Sequence, residues 1–154
     1  MAVEKRVLLA RPHTFIVNEM RPFLAAAGYV PVGAASLEQL AEALGRPALQ
    51  GAVISTALSS SINADAATVF RLIREKRPDL PVVFAGLADL DTVKVSALRA
   101  VKDQVPSPVI AGPAAYRPPA ATERGSTFLV LRKEDIAAGH SQEAAMRALR
   151  AHFA

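Results

Sequence analysis

Short continuous apolar runs alternate along this chain with longer stretches whose apolar residues return every three or four positions. The first kind suits strands buried on both faces of a sheet, the second amphipathic helices. Arg6 to Ala10 is the first such run and predicts a strand. In 14-TFIVNEMRPFLAAAGY-29, Phe15, Met20, Phe23, Leu24 and Ala27 fall at roughly helical spacing, and Gly28 supplies a C-cap. Pro22 is tolerated if the regular helix begins near Asn18, which puts the ring in or just after the first turn. Tyr29 to Ala34 reads as a second strand, and Pro31, which cannot donate to a ladder, assigns it to a sheet edge. Ser36 and Gln39 form a capping box at the start of 36-SLEQLAEALG-45. Ala52 to Ser55 is a third strand. The polar loop 59-SSSINAD-65 leads into the helix 66-AATVFRLIREKR-77, whose Val69, Phe70 and Ile73 share a face and which Pro78 stops. Val82 to Ala85 is a fourth strand. Asp89 or Asp91 then caps a helix over 92–104, with Val93, Leu98 and Val101 facing the sheet and Val95 off that arc beside Lys94, Arg99 and Lys102.

The rhythm then breaks. The stretch 105-VPSPVIAGPAAYRPPAATERGST-127 holds five prolines and two glycines without a helical period, and reads as a long loop or insertion. The run 128-FLVL-131 predicts strand five, and Ser141 caps a last helix carrying Met146, Leu149 and Phe153 on one stripe. Strands alternating with helices imply parallel pairing and right-handed crossovers, hence helices on both faces of the sheet. The expected architecture is one α/β domain over residues 1–154, doubly wound and flavodoxin-like. Its five-stranded parallel sheet has the order 2-1-3-4-5, with the insertion between helix four and strand five. In that order the Pro31 strand is an edge, as the proline requires. Such sheets bind ligands at the carboxyl ends of their strands.

Composition removes several function classes. No stretch approaches the roughly 18 uncharged apolar residues that span a bilayer. The run of four apolar residues before Arg11 is too short for a signal peptide, so a cytoplasmic protein is expected. The chain has no cysteine, which excludes disulfides, thiolate metal sites and a cysteine nucleophile. The formal net charge of +4 is dispersed, with no block of five basic residues. Only weak, salt-sensitive binding to nucleic acid follows from that. His13, His140 and His152 are too scattered to predict a metal site, and His13 reads as an exposed loop residue. No G-x-G-x-x-G, P-loop or G-x-S-x-G motif occurs.

The segments 6-RVLLARPHTF-15, 23-FLAAAGYVPV-32 and 70-FRLIREKRPDLPVVFAG-86 resemble the receiver domain of two-component response regulators, the CheY-like fold. The resemblance covers nearly the whole chain apart from about 105–127. It implies a phosphoacceptor aspartate at the end of strand three, two metal-binding acids after strand one, a hydroxyl after strand four and a lysine after strand five. In this sequence the acidic pair falls on Arg11 and Pro12 and the acceptor on Ser55, or on Thr56 with a one-residue slip. The hydroxyl position falls on Gly86, and the lysine on Arg132 or Lys133. Only the positive charge survives. Mg²⁺ needs carboxylate oxygens, and phosphoryl transfer needs that metal with an acceptor poised in line. A serine hydroxyl with no base beside it is a poor acceptor.

The sequence therefore predicts a degenerate receiver, or pseudo-receiver. It is expected to be neither an enzyme nor dependent on a cofactor, and to act by protein–protein contact in bacterial two-component-type signalling. In receivers the partner face is helix four, strand five and the last helix, which here offers Val95, Arg99, Lys102 and Arg147 to a signalling protein or to a second copy of the chain. A small-molecule or anion sensor using the vestigial pocket around Arg11, Ser55 and Gly86 is the alternative, and a weak nucleic-acid-binding regulator the second alternative. Arg11 itself is read as a surface arginine beside a strand end in preference to an anion-binding group. The run 59-SSSINAD-65 is read as a polar loop before a cap in preference to a phosphate site.

Overall fold

The fold comes from a computed structural model and is described for residues 5–13, 16–57, 62, 64–137 and 139–154. Phe15, most of the 59–65 loop and the first four residues lie outside that set. In chain order the strands are β1 (Arg6–Arg11), β2 (Val30–Gly33), β3 (Leu49–Ser55), β4 (Val82–Gly86), β5 (Val109–Ala111) and β6 (Thr127–Arg132). The helices are α1 (Arg21–Ala26), α2 (Leu37–Leu44), α3 (Ala66–Lys76), α4 (Leu90–Val101), α5 (Lys133–Ile136) and α6 (His140–Phe153).

Among the described residues the strands form one parallel sheet in the order β2-β1-β3-β4-β6-β5. Six strands replace the expected five. The additional one lies within 105–127, where Val109, Ile110 and Ala111 pair with Thr127, Phe128 and Leu129. The segment taken for a loop thus lays a short strand along the outside of β6. The chain returns through 112–126, ending in a 3-10 turn at Ala121–Ser126, before it enters β6. Predicted strand five is therefore β6, and it is an interior strand.

Local rules explain most of the punctuation. A π-helical turn at Ile16–Met20 runs into α1, whose first positions take Pro22 where no helical N–H is needed. Gly28 sits at φ +98°, and the amides of Gly28 and Tyr29 close on the carbonyls of Ala25 and Leu24, the Schellman pattern. The Ser36 hydroxyl accepts from the Gln39 amide while Gln39 Oε1 accepts from the Ala35 amide. Asp65 caps α3 through the Thr68 amide at 2.8 Å. At the other end of α3, Arg77 donates to the carbonyls of Leu44, the last residue of α2, and of Arg46 just past it, tying two helix ends together. Ser141 is not a cap: it lies in the first turn of α6, and its hydroxyl donates to the Glu134 carbonyl of α5, a short helix the sequence reading did not contain.

Side-chain alternation along the strands splits the core into two layers. Leu8, Ile54, Phe84 and Phe128 meet α2, α3 and α4 on one face, where Phe70, Phe84 and Phe128 form a ring cluster with centroids 5.5–6.1 Å apart. Val7, Leu9, Val53, Val83 and Leu131 meet α1 and α6 on the other. Each large side chain fully buried in this way contributes about 2 kcal/mol. Phe153 of α6 packs against β3 at Gly51, where a Cβ would come within 2.2 Å of the ring. No described helix is long and apolar enough to cross a membrane.

One helix face departs from the reading. Leu98, placed on the core arc of α4, is 42% exposed, whereas Ala97 and Ala100 are buried beside Val93 and Val101. The small alanines bring α4 close to the sheet and turn Leu98 outward.

Candidate functional site

Parallel register carries four strand ends to one place. Arg11 lies opposite Ile54, Ser55 opposite Ala85, and Gly86 opposite Arg132. The mouth at the carboxyl ends of the strands thus gathers Arg11, Pro12, Ser55, Thr56, Gly86, Arg132 and Lys133, the residues singled out in the sequence.

Arg11 is not on the surface. It is 3% exposed, the last inward residue of a strand that is buried from Val7 onward. Its Nε donates to the Ala64 carbonyl at 2.9 Å, and one terminal nitrogen donates to the carbonyls of Ser55, at 2.8 Å, and Ala57. The guanidinium therefore staples the end of β3 to the start of α3. Burial pulls its pKa below the usual arginine value, opposed by the nearby Asp65 carboxylate. An arginine nonetheless keeps its proton in a protein, so this is a fixed charge at the mouth.

The hydroxyls are committed as well. Ser55 is buried, and its Oγ accepts from the Ala57 amide at 3.1 Å. Thr56 Oγ1 donates to the Ala85 carbonyl, and it would lie 2.4 Å from a Cβ placed on Gly86. Glycine at position 86 thus makes room for a hydroxyl that arrives from β3. Arg132 is held by Asp135, which accepts from its backbone amide at 2.8 Å and from its guanidinium at 3.1 and 3.2 Å. Glu134 adds an ion pair at 3.2 Å. The hydrogen bond that the guanidinium donates to Asp135 raises the Arg132 pKa. Lys133 stays exposed at the start of α5. Asp65 is held below the usual carboxylate range by its hydrogen bonds from Thr68, with Arg11 and Arg71 adding to the effect.

The sequence reading missed Asp65 and Asp135 as members of this site. Asp135 was within reach of it, because an acid three residues after a strand-ending arginine is the return half of a capping box.

The proposed partner residues divide between two faces. Val95 and Arg99 are exposed on α4 and Lys102 at its C-cap, while Arg147 is exposed on α6, which packs on the opposite side of the sheet. β5 lies at the edge between them.

No protein-family model matches the chain, and no curated protein matches it in sequence. Solved structures do match in shape. NtrX from Brucella abortus superimposes with a TM-score of 0.61 at 15% identity over 97% of this chain. The isolated NtrX receiver domain gives 0.55 at 17% identity over 96% of both chains. A response regulator receiver protein from Sinorhizobium medicae gives 0.55 at 20% identity over 97% of both chains. The chain spans 28% of the length of the larger NtrX chain. The fold is that of a response-regulator receiver domain.

Set on a receiver fold, the mouth lacks what a receiver's metal would need. Mg²⁺ takes carboxylate oxygens and water, but Arg11 and Pro12 offer none, and the Arg11 guanidinium adds a buried positive charge. No group of three or more His, Cys, Asp or Glu among the described residues is arranged to hold an ion. The residues present do not fit the metal.

Proposed function

We propose that this receiver-fold protein is a pseudo-receiver: a signalling module of two-component type that presents a protein-binding surface independently of phosphorylation and catalyses no reaction. The observation that carries this reading is the Arg11 staple. A guanidinium bonded to the carbonyls of Ser55, Ala57 and Ala64 occupies the mouth with positive charge where a metal-binding acid is required. Thr56 against Gly86 supports it, since that hydroxyl donates to the main-chain carbonyl of Ala85. With no phosphoryl group to gain, the surface is held in one state. The face we assign to the partner is α4 with the β5 edge, where Val95 is 47% and Val109 52% exposed. Arg99 and Lys102 flank that face, and Arg147 lies beyond the edge on α6.

The test is chemical. Treated with acetyl phosphate and Mg²⁺, the intact protein is expected to keep its mass, and its amide NMR spectrum is expected not to respond to Mg²⁺. A stoichiometric phosphate adduct by intact-mass spectrometry sinks the reading.

A further inference from the structure

We infer that the groove between α3 and α4 is a binding site for a small ligand bearing phosphate or carboxylate groups. The groove has a volume of about 440 Å³ and opens beside the mouth of the sheet. That lies within the range of about 300–1,000 Å³ typical of small-molecule sites. Its walls are Ala66 and Ala67 on α3 and Ser96, Arg99 and Ala100 on α4, with Lys102 capping the end of α4 and Arg11, Thr56, Ala57 and Asp65 at the strand end.

Two features give the site its chemistry. The first is charge: three cations, Arg11, Arg99 and Lys102, stand against one carboxylate, Asp65, one of whose oxygens takes the Thr68 amide. The side chains of Arg99 and Lys102 make no hydrogen bond or ion pair within the described residues, so both are available to an incoming anion. An arginine fork pairs with phosphate or carboxylate through two parallel hydrogen bonds. Ser96 adds a hydroxyl suited to a neutral part of a ligand. The second feature is space. Ala66, Ala67 and Ala100 line the groove with methyl groups alone, leaving it open where longer side chains would fill it. The site adjoins Arg11 but does not rest on the absence of phosphorylation, because its ligand-facing cations belong to α4.

Inorganic phosphate, pyrophosphate and citrate titrated into the full chain at low ionic strength, followed by amide NMR, decide the matter. Saturable shifts confined to Thr56, Ala57, Ala66, Ala67, Ser96, Arg99 and Lys102 are expected for at least one of the three. The double variant Arg99→Gln/Lys102→Gln should weaken that binding at least tenfold, while Arg147→Gln binds like the parent. Arg99 and Lys102 are exposed, so the double variant should retain the parent spectrum elsewhere. Ala67→Leu, which fills the groove without changing charge, should also abolish the shifts. Shifts that fail to saturate, that spread evenly over exposed lysines and arginines, or that survive either groove variant overturn the proposal.

Discussion

Arg11 and His152 are both buried polar side chains, but they lie at opposite ends of the sheet and are accommodated differently. At the carboxyl end Arg11 cannot shed its charge, so the chain surrounds it with main-chain carbonyls. At the amino end His152 of α6 donates from Nε2 to the Val82 carbonyl at 2.9 Å, where β4 begins. A carbonyl can only accept, so in the neutral ring the other nitrogen, Nδ1, accepts from the Tyr116 hydroxyl, also at 2.9 Å. Burial drives the His152 pKa down to about 4, with the bond to Val82 opposing the shift. The histidine gives up its charge to stay inside, whereas the arginine keeps its charge and recruits acceptors. The first arrangement titrates within the range of ordinary buffers and the second does not.

The comparison can be broken most forcefully at the arginine. Arg11→Leu leaves the carbonyls of Ser55, Ala57 and Ala64 without their donor. With water replacing part of the loss, a destabilisation on the order of 4 kcal/mol is expected in urea unfolding. Arg11→Asp, which puts back an acid, should cost more, because a carboxylate would face those same carbonyl oxygens. A fully stable Arg11→Asp variant that binds Mg²⁺ would show the mouth to be adaptable after all.

The next largest effect belongs to pH. The unfolded histidine takes up a proton near pH 6.5 and the folded one only near pH 4, so the unfolded state binds more protons between those values. Stability should therefore fall as pH drops through that window, by about 3 kcal/mol in all. Asp65, whose pKa is lowered from 3.8, loses its contribution only below the window. Urea midpoints at pH 7 and pH 4.5 measure the fall, and His152→Gln should flatten it. An unchanged slope in that variant would assign the pH dependence elsewhere. The smallest effect is expected from Tyr116→Phe, which removes one hydrogen bond and keeps the ring against His152, at about 1 kcal/mol.

Much of the fold was legible because its strands obey simple rules. The run from Val7 to Ala10 announces a strand covered on both sides, Pro31 announces an edge, and Ser36 with Gln39 announces a helix start. β5 escaped notice because Val109, Ile110 and Ala111 stand alone between Pro108 and Gly112–Pro113. Three residues carry no periodicity, and the prolines around them signal a loop. Leu98 was misplaced because hydropathy ranks leucine above alanine, while close helix–sheet packing selected Ala97 and Ala100.

The composition of the site was legible and its geometry was not. Missing acids can be counted in a sequence, but the burial of Arg11 depends on carbonyls of Ser55, Ala57 and Ala64, whose side chains give no sign of it. The one available hint was position: an arginine ending a strand buried on both faces has little room to reach solvent. His152 shows the same limit, since its partners, Tyr116 and Val82, lie 36 and 70 residues away along the chain.

The short outer strand also bears on how the protein behaves in a crowded solution. An exposed sheet edge invites strands from other molecules, and edge-to-edge addition is how many aggregates begin. Here one margin is β2, four residues long and interrupted by Pro31, which has no amide hydrogen to offer. The other is β5, three residues bracketed by Pro108 and Pro113. The run 127–132, six apolar-rich residues that would make an effective template, pairs with β4 over Leu129–Arg132 and takes β5 along Thr127–Leu129 on its outer edge. By laying three residues along Thr127–Leu129, the segment between α4 and β6 occupies the first half of the outer edge of the sheet's most adhesive strand, so that a foreign strand finds only a short stretch left to join.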